Sequence, residues 1–337
     1  MKVDVHDRLE AIGPAAWDAL VRAARRRPPF LWWTWQREWV ASFANTNRLE
    51  IRRVEDDEGH LIAVLPLYER LPDVWTLVGG VDICDYLDLI AVAGRELEAW
   101  TALLHACPAA PATWELHAVP AASPTVTALP GLEAAVTVTA AVEERCPVVE
   151  LPATWAEYLG GLTSKHRHEL TRKMRRLERE APDTRVTCLA RRSEIEARIG
   201  DFLDLHRRSR VGKERFMDLA MERFFRRVSA GLADADVVRL WFLDGASGPL
   251  ASFITLEWDG TVGLYNSGFQ PAAAALSPGL VLLAHVVEDA IRRGKRRFDF
   301  LRGEERYKYE FEPTPEEVFK VTITTGDTPP SPSSPAS

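Results

Sequence analysis

"TVGLYNSGF" (residues 261–269), "LSPGLVLLAHVVEDAIRRG" (276–294) and "RRFDFLRGEERYKYEF" (296–311) are the pieces whose order decides the fold. The first has the β-rich composition of a strand. The second reads as a helix, with Ser277 at the N-cap, Pro278 at the first helical position and Gly294 at the stop. Its apolar stripe is Leu280, Leu283, Ala284, Val287 and Ile291. The third resumes as a strand around Asp299, breaks at Gly303, and then crowds acids, tyrosines and a lysine together. A helix start with free N–H groups and a close-approach glycine suits an anion such as a pyrophosphate. An ordinary capped crossover helix would look the same.

Upstream, "VVRLWFLDGASGPLASFITLEW" (237–258) is a hairpin around the turn "DGASG". The first half of the chain runs in the same order. The hairpin "LEIRRVEDDEGHLIAVLPLYER" (49–70) is followed by one or two strands in 74–92, a helix in 95–107 and the strand "ATWELHAV" (112–119). Two such series predict an internal duplication. The fold class is therefore α/β (α+β), with a mixed sheet in each half. The expected domains are 1–148 and 149–325, followed by a disordered Pro/Ser-rich tail, 326–337.

A length of 337 residues fits two domains. The net charge of -7 argues against binding DNA through a broad basic surface. Residues 165–176 nevertheless hold six Lys/Arg against one Glu. That helix, with Leu170, Met174 and Leu177 inward, reads either as a solvated face or as an anion clamp made by Lys165, Arg167 and Arg172. Cys84, Cys107, Cys146 and Cys188 are scattered, with no C-x-x-C pair. Reduced, buried thiols and no metal site are expected. Trp32, Trp33, Trp35 and Trp39 are expected as core anchors. No leader and no apolar run long enough for a membrane span is visible, so a soluble, cytoplasmic protein is expected.

The sequence "YNSGF", "SPG", "DFLRG", "YK", in that order, resembles the C-terminal signature of the BioF-like, CelD-like GNAT acyltransferases associated with cellulose and exopolysaccharide biosynthesis. These are related to the Fem-type aminoacyl transferases, which use two GNAT units in tandem. The resemblance runs from about Thr154 to Thr325; the first half matches in pattern only. It implies a tandem GNAT fold, each unit a mostly antiparallel mixed sheet flanked by helices. Two central parallel strands splay apart, and an acyl thioester lies in the gap. By that resemblance the pantetheine of acyl-CoA, expected to be acetyl-CoA, pairs along Tyr265, Asn266, Ser267 and Gly268. Its pyrophosphate sits at Ser277, Gly279 and Leu280. The family's usual Q/R-x-x-G-x-G/A loop is absent; the loop here is alanine-rich with one glycine.

Acyl transfer to an amine requires loss of an amine proton, stabilisation of an oxyanion and protonation of the thiolate. Asp299 or Glu304 is a candidate base. Tyr307 or Tyr309 is a candidate acid, the role a tyrosine plays in many GNAT enzymes. Lys308 is a candidate phosphate contact, and an N–H near Gly268 a candidate oxyanion donor. Each has a structural alternative; Glu304 and Lys308, for example, have the i,i+4 spacing of a helical ion pair. The expected function is N-acyl transfer to a small-molecule or sugar-linked amine in polysaccharide or cell-envelope metabolism, with no covalent enzyme intermediate. The alternatives are a Fem-like, tRNA-dependent transferase and a non-catalytic assembly subunit.

Overall fold

The computed structural model describes residues 1–44, 47–107, 112–132, 136–209 and 217–325. The expected disordered tail lies outside the described residues. The chain forms an α/β fold and divides into two compact units. Unit 1 is Met1–Glu144 with the described residues from Glu317 onward, and unit 2 is Arg145–Glu316.

The strands of unit 1 are β1 (Lys2–His6), β2 (Leu49–Glu55), β3 (Leu61–Leu71), β4 (Val74–Leu77), β5 (Ile90–Ala91) and β6 (Ala112–Pro120). Its helices are α1 (Pro14–Ala23), α2 (Trp33–Trp39), α3 (Glu96–His105) and the short α4 (Pro124–Thr127). All neighbouring strand pairs are antiparallel except β4 and β6, which pair in parallel from Val74↔Thr113 to Thr76↔Glu115. Trp17, Trp35, Trp100 and Trp114 are fully buried, each contributing on the order of 2–3 kcal/mol of burial. Beyond Leu77 this unit closes its own gap. The segment after β4 runs beside β6, and Leu87 donates its N–H to the Ala118 carbonyl at 3.0 Å. Ile83, Cys84, Tyr86 and Leu87 are buried there.

Unit 2 repeats the plan. The long strand β7 (Val136–Glu150) leads into α5 (Trp155–Gly161), α6 (Ser164–Glu180), β8 (Arg185–Leu189), α7 (Arg192–Ser209) and α8 (Leu219–Asp234). The hairpin β9 (Val238–Gly245) and β10 (Gly248–Trp258) comes next, then β11 (Thr261–Phe269), α9 (Pro278–Arg292) and β12 (Arg297–Asp299). The helix expected over 165–176 is α6, and a separate short helix, α5, precedes it. Each has a threonine cap: Thr154 forms a capping box with Glu157, and Thr163 accepts from the His166 N–H. As expected, Leu170 and Leu177 are buried and Met174 packs beside them.

The last strand, β13 (Thr314–Thr325), was expected with the second half. Its part from Val318 onward instead pairs antiparallel with β6 of unit 1. In unit 2 the equivalent place beside β12 is taken by the end of β7, from Val148↔Asp299 to Glu150↔Arg297. Among the cysteines, Cys84 and Cys146 are buried as expected. Cys107 is half-buried and Cys188 exposed, because β8 is an edge strand covered on one side only.

Candidate active site

β11 and β12 run parallel for three residues only, from Thr261↔Arg297 to Gly263↔Asp299. β11 then continues to Phe269 along β10, whereas the chain leaving β12 follows β7. Phe300 donates to the Pro147 carbonyl at 2.9 Å and Gly303 to the Arg145 carbonyl at 3.1 Å. Leu301, at φ 56°, makes the bend, and its N–H is held at 2.8 Å by the buried Asp299 carboxylate.

A β-bulge sets which side chains face the opening. Ile254 pairs with Asn266 and Thr255 with Leu264, so Tyr265 is the extra residue. The insertion shifts the alternation by one. Val262 and Leu264 pack in the core beneath α9, and past the bulge Phe269 packs against the same core. Tyr265 turns away to stack on Phe225 of α8. Gly268 is an obligate glycine, since a Cβ there would lie 2.5 Å from the backbone nitrogen of His206 on α7.

The opening is a cavity of about 310 Å³. Phe253 and Ser267–Phe269 line one wall, Ala274 and Ser277–Leu280 another, and Glu305 and Tyr307 the side beyond β12. Ser277 occupies the N-cap position of α9 but not as expected. It adopts a left-handed conformation, φ 52° and ψ 47°, and its hydroxyl makes no cap bond. Pro278 has no N–H, and the helical ladder starts with Val281 donating to the Ser277 carbonyl at 3.1 Å. The N–H groups of Gly279 and Leu280 therefore have no helical acceptor, at the positive end of the helix dipole. A Cβ on Gly279 would meet nothing within 4 Å, so the space over this backbone is open.

Of the residues singled out from sequence, Ser267, Gly268, Ser277, Gly279, Leu280 and Tyr307 are brought together around this cavity. Tyr265, Asn266, Asp299, Glu304, Lys308 and Tyr309 do not line it. The Lys308 ammonium is buried, 2.8 and 2.9 Å from the Arg302 and Gly303 carbonyls and 2.8 Å from Glu305 Oε2. The helical pair with Glu304 is not made. Glu304 instead accepts from the Tyr309 hydroxyl at 2.6 Å, a bond that raises the tyrosine's pKa. On α6, Arg172 forks onto Glu169 and holds that carboxylate at about 2. Lys165 and Arg167 lie on the same helix, exposed and half-buried respectively.

Sequence reading missed Phe253, Phe269, Ala274 and Glu305. The first is placed by the register Phe253↔Ser267, which no sequence signal marks. The i,i+3 spacing from Glu305 to Lys308 carried a signal for the last. No cysteine is among the described residues lining the cavity. Elsewhere, Asp56, Glu58 and His60 bring ligand-type atoms together at the β2–β3 turn, where Asp56 is ion-paired with Arg95.

Diverging parallel strands, a crossover helix whose first N–H groups are open and a mixed sheet make up a GNAT-like fold. Residues 164–309 match the model of the acetyltransferase (GNAT) domain. Among solved structures the chain is similar to FemX, at 12% identity and a TM-score of 0.63, over 96% of this chain and 97% of that one. It is similar to a conserved protein of unknown function from Bacteroides thetaiotaomicron VPI-5482, at 13% identity and TM-score 0.60, over 96% and 99%. It is also similar to L-PGS from Bacillus licheniformis, at 9% identity and TM-score 0.54, over 92% and 90%. At these identities the likeness is one of fold. No curated protein sequence matches the chain. Among the described residues no helix is long and apolar enough to cross a membrane.

Proposed function

We propose that unit 2 is an N-acyltransferase that moves an acyl group, acetyl in the simplest case, from acyl-CoA to an amine. The observation that carries this is the cavity where β11 leaves β12, with the N-terminus of α9 opening onto it. The pantetheine amides would pair along Ser267–Phe269, where β11 has no parallel partner. The pyrophosphate would take the Gly279 and Leu280 N–H groups. Tyr307, which lines the cavity, would return a proton to the leaving sulfur. Lys165 and Arg167 would meet an anionic part of the acceptor, for which a sugar-linked amine of exopolysaccharide or cell-envelope metabolism is the class we favour.

The absent glycine-rich loop and the fold likeness to FemX favour one second reading, transfer from aminoacyl-tRNA. Thiol release from acetyl-CoA in the presence of a panel of amino sugars and amino acid amides tests the first. Turnover that depends on both substrates supports it. No acetyl-CoA binding, together with a gel shift by aminoacyl-tRNA, overturns it in favour of the second.

A further inference from the structure

A second cavity lies wholly within unit 1 and shares no residue with the cavity of unit 2. It measures about 70 Å³. Since a water takes about 10–15 Å³ of such space, it admits a molecule of roughly five or six non-hydrogen atoms. Arg25 and Arg26, just past α1, line it together with Tyr86 and Asp88 of the segment after β4. Glu96 of α3 and Ser123, the cap of α4, complete its polar wall.

The Asp88 carboxylate is held by three donors. Oδ1 accepts from the Leu89 N–H at 2.8 Å and the Thr125 hydroxyl at 2.6 Å, and Oδ2 accepts from the Ser123 hydroxyl. Both hydroxyl oxygens also accept, from Trp100 Nε1 at 2.9 Å and the Thr125 N–H at 3.0 Å, which turns their protons toward the carboxylate. A carboxylate oxygen takes about two such bonds, so Oδ2 keeps one place open. Burial pushes this carboxyl up to about 6, which still leaves it ionised at neutral pH. Among the described residues no cation forms an ion pair with it. Arg26 makes no ion pair either; its guanidinium lies 5.2 Å from the centre of the Tyr86 ring. Arg25, by contrast, is neutralised by Glu96 Oε1 at 3.1 Å. One negative and one positive charge therefore line the same small space without meeting. The remaining wall is largely apolar, with Pro28, Leu31, Leu87 and Leu89.

We propose that this cavity binds a small zwitterion of the α-amino acid class, its ammonium on Asp88 and its carboxylate on Arg26. The ammonium supplies the cation that the desolvated carboxylate lacks. The ligand carboxylate offers two oxygens to the fork of the guanidinium. Glycine, alanine and serine match the space. The site stands independently of the acyl-transfer reading of unit 2.

The test uses the full chain without an acyl donor. Glycine, L-alanine and L-serine are titrated by calorimetry, beside propionate and ethylammonium, which carry one charge each. The expected result is millimolar or tighter binding of at least one amino acid, with a melting temperature that rises on saturation. Both single-charge analogues bind tenfold or more weakly than that amino acid. Asp88→Asn and Arg26→Gln each lose tenfold or more in its affinity. Acetyl-CoA titrated into the same variants binds as it does to wild type, which separates this site from the cavity of unit 2 and confirms that the variants are folded. No binding of any of the three amino acids by wild type overturns the proposal. Undiminished binding by Arg26→Gln or Asp88→Asn overturns it too, as does ethylammonium or propionate binding as tightly as the amino acid.

Discussion

The buried Lys308 Nζ lies 2.8 Å from Glu305 Oε2 and also within hydrogen-bond range of the half-buried Arg302 and Gly303 carbonyls. One side chain thus holds the loop that leaves β12. Lys308→Met strips the partner from two carbonyls and a carboxylate at once. We expect a loss of about 1–3 kcal/mol in urea unfolding, because two half-buried carbonyls lose their charged donor. A loss below about 0.5 kcal/mol would remove Lys308 from this role.

Gly268→Ala puts a methyl group into the backbone of α7 at Leu205 and His206. Neither neighbour is a flexible tip, so the strand or the helix must move. A destabilisation of about 1–3 kcal/mol is expected, accompanied by weaker acetyl-CoA binding. An unchanged melting temperature would mean that α7 does not press on β11 as described.

The two tyrosines are distinguished by position. Tyr307 lines the cavity, whereas the Tyr309 hydroxyl is donated to Glu304. Tyr307→Phe is expected to lower kcat on the order of a hundredfold at unchanged acetyl-CoA affinity. Tyr309→Phe is expected to change kcat less than threefold. Steady-state kinetics on both variants checks this, and the opposite ranking would contradict it.

In unit 1, burial pushes the Asp88 carboxyl up to about 6, against hydrogen bonds from Ser123, Thr125 and the Leu89 N–H. The folded state therefore holds this proton more tightly than the unfolded chain does. The group's stabilising contribution is fully present below about pH 4 and is lost as pH rises through about 6. Relative to wild type, Asp88→Asn should gain on the order of 2–3 kcal/mol between about pH 4 and pH 7. Denaturant melts of both proteins across that range test it; a pH-independent difference would show that Asp88 is not a buried, late-titrating acid.

The strand–helix–strand order at the site was legible because its punctuation is local. Pro278 and Gly294 bound α9, and its apolar positions recur at helical spacing. Three features were not legible, each for a physical reason. The period-2 pattern of β13 is the same whichever sheet takes it, so its pairing with β6 is a tertiary choice. The bulge at Tyr265 inserts one residue without a glycine to mark it, and it decides which of residues 265–269 face the cavity. The i,i+4 pairing of Glu304 with Lys308 presumed a helix. Residues 301–305 are not helical, and Lys308 finds Glu305.

The central claim is that the space over the first turn of α9 holds an acyl thioester. Gly279 gives direct access to it, since a side chain there meets no protein atom. Calorimetric titration of acetyl-CoA into wild type and Gly279→Val is the decisive measurement. The account predicts one site per chain in wild type and at least tenfold weaker binding in the variant, with the melting temperature unchanged. Equal affinity in the two proteins, or no binding by wild type, would contradict it.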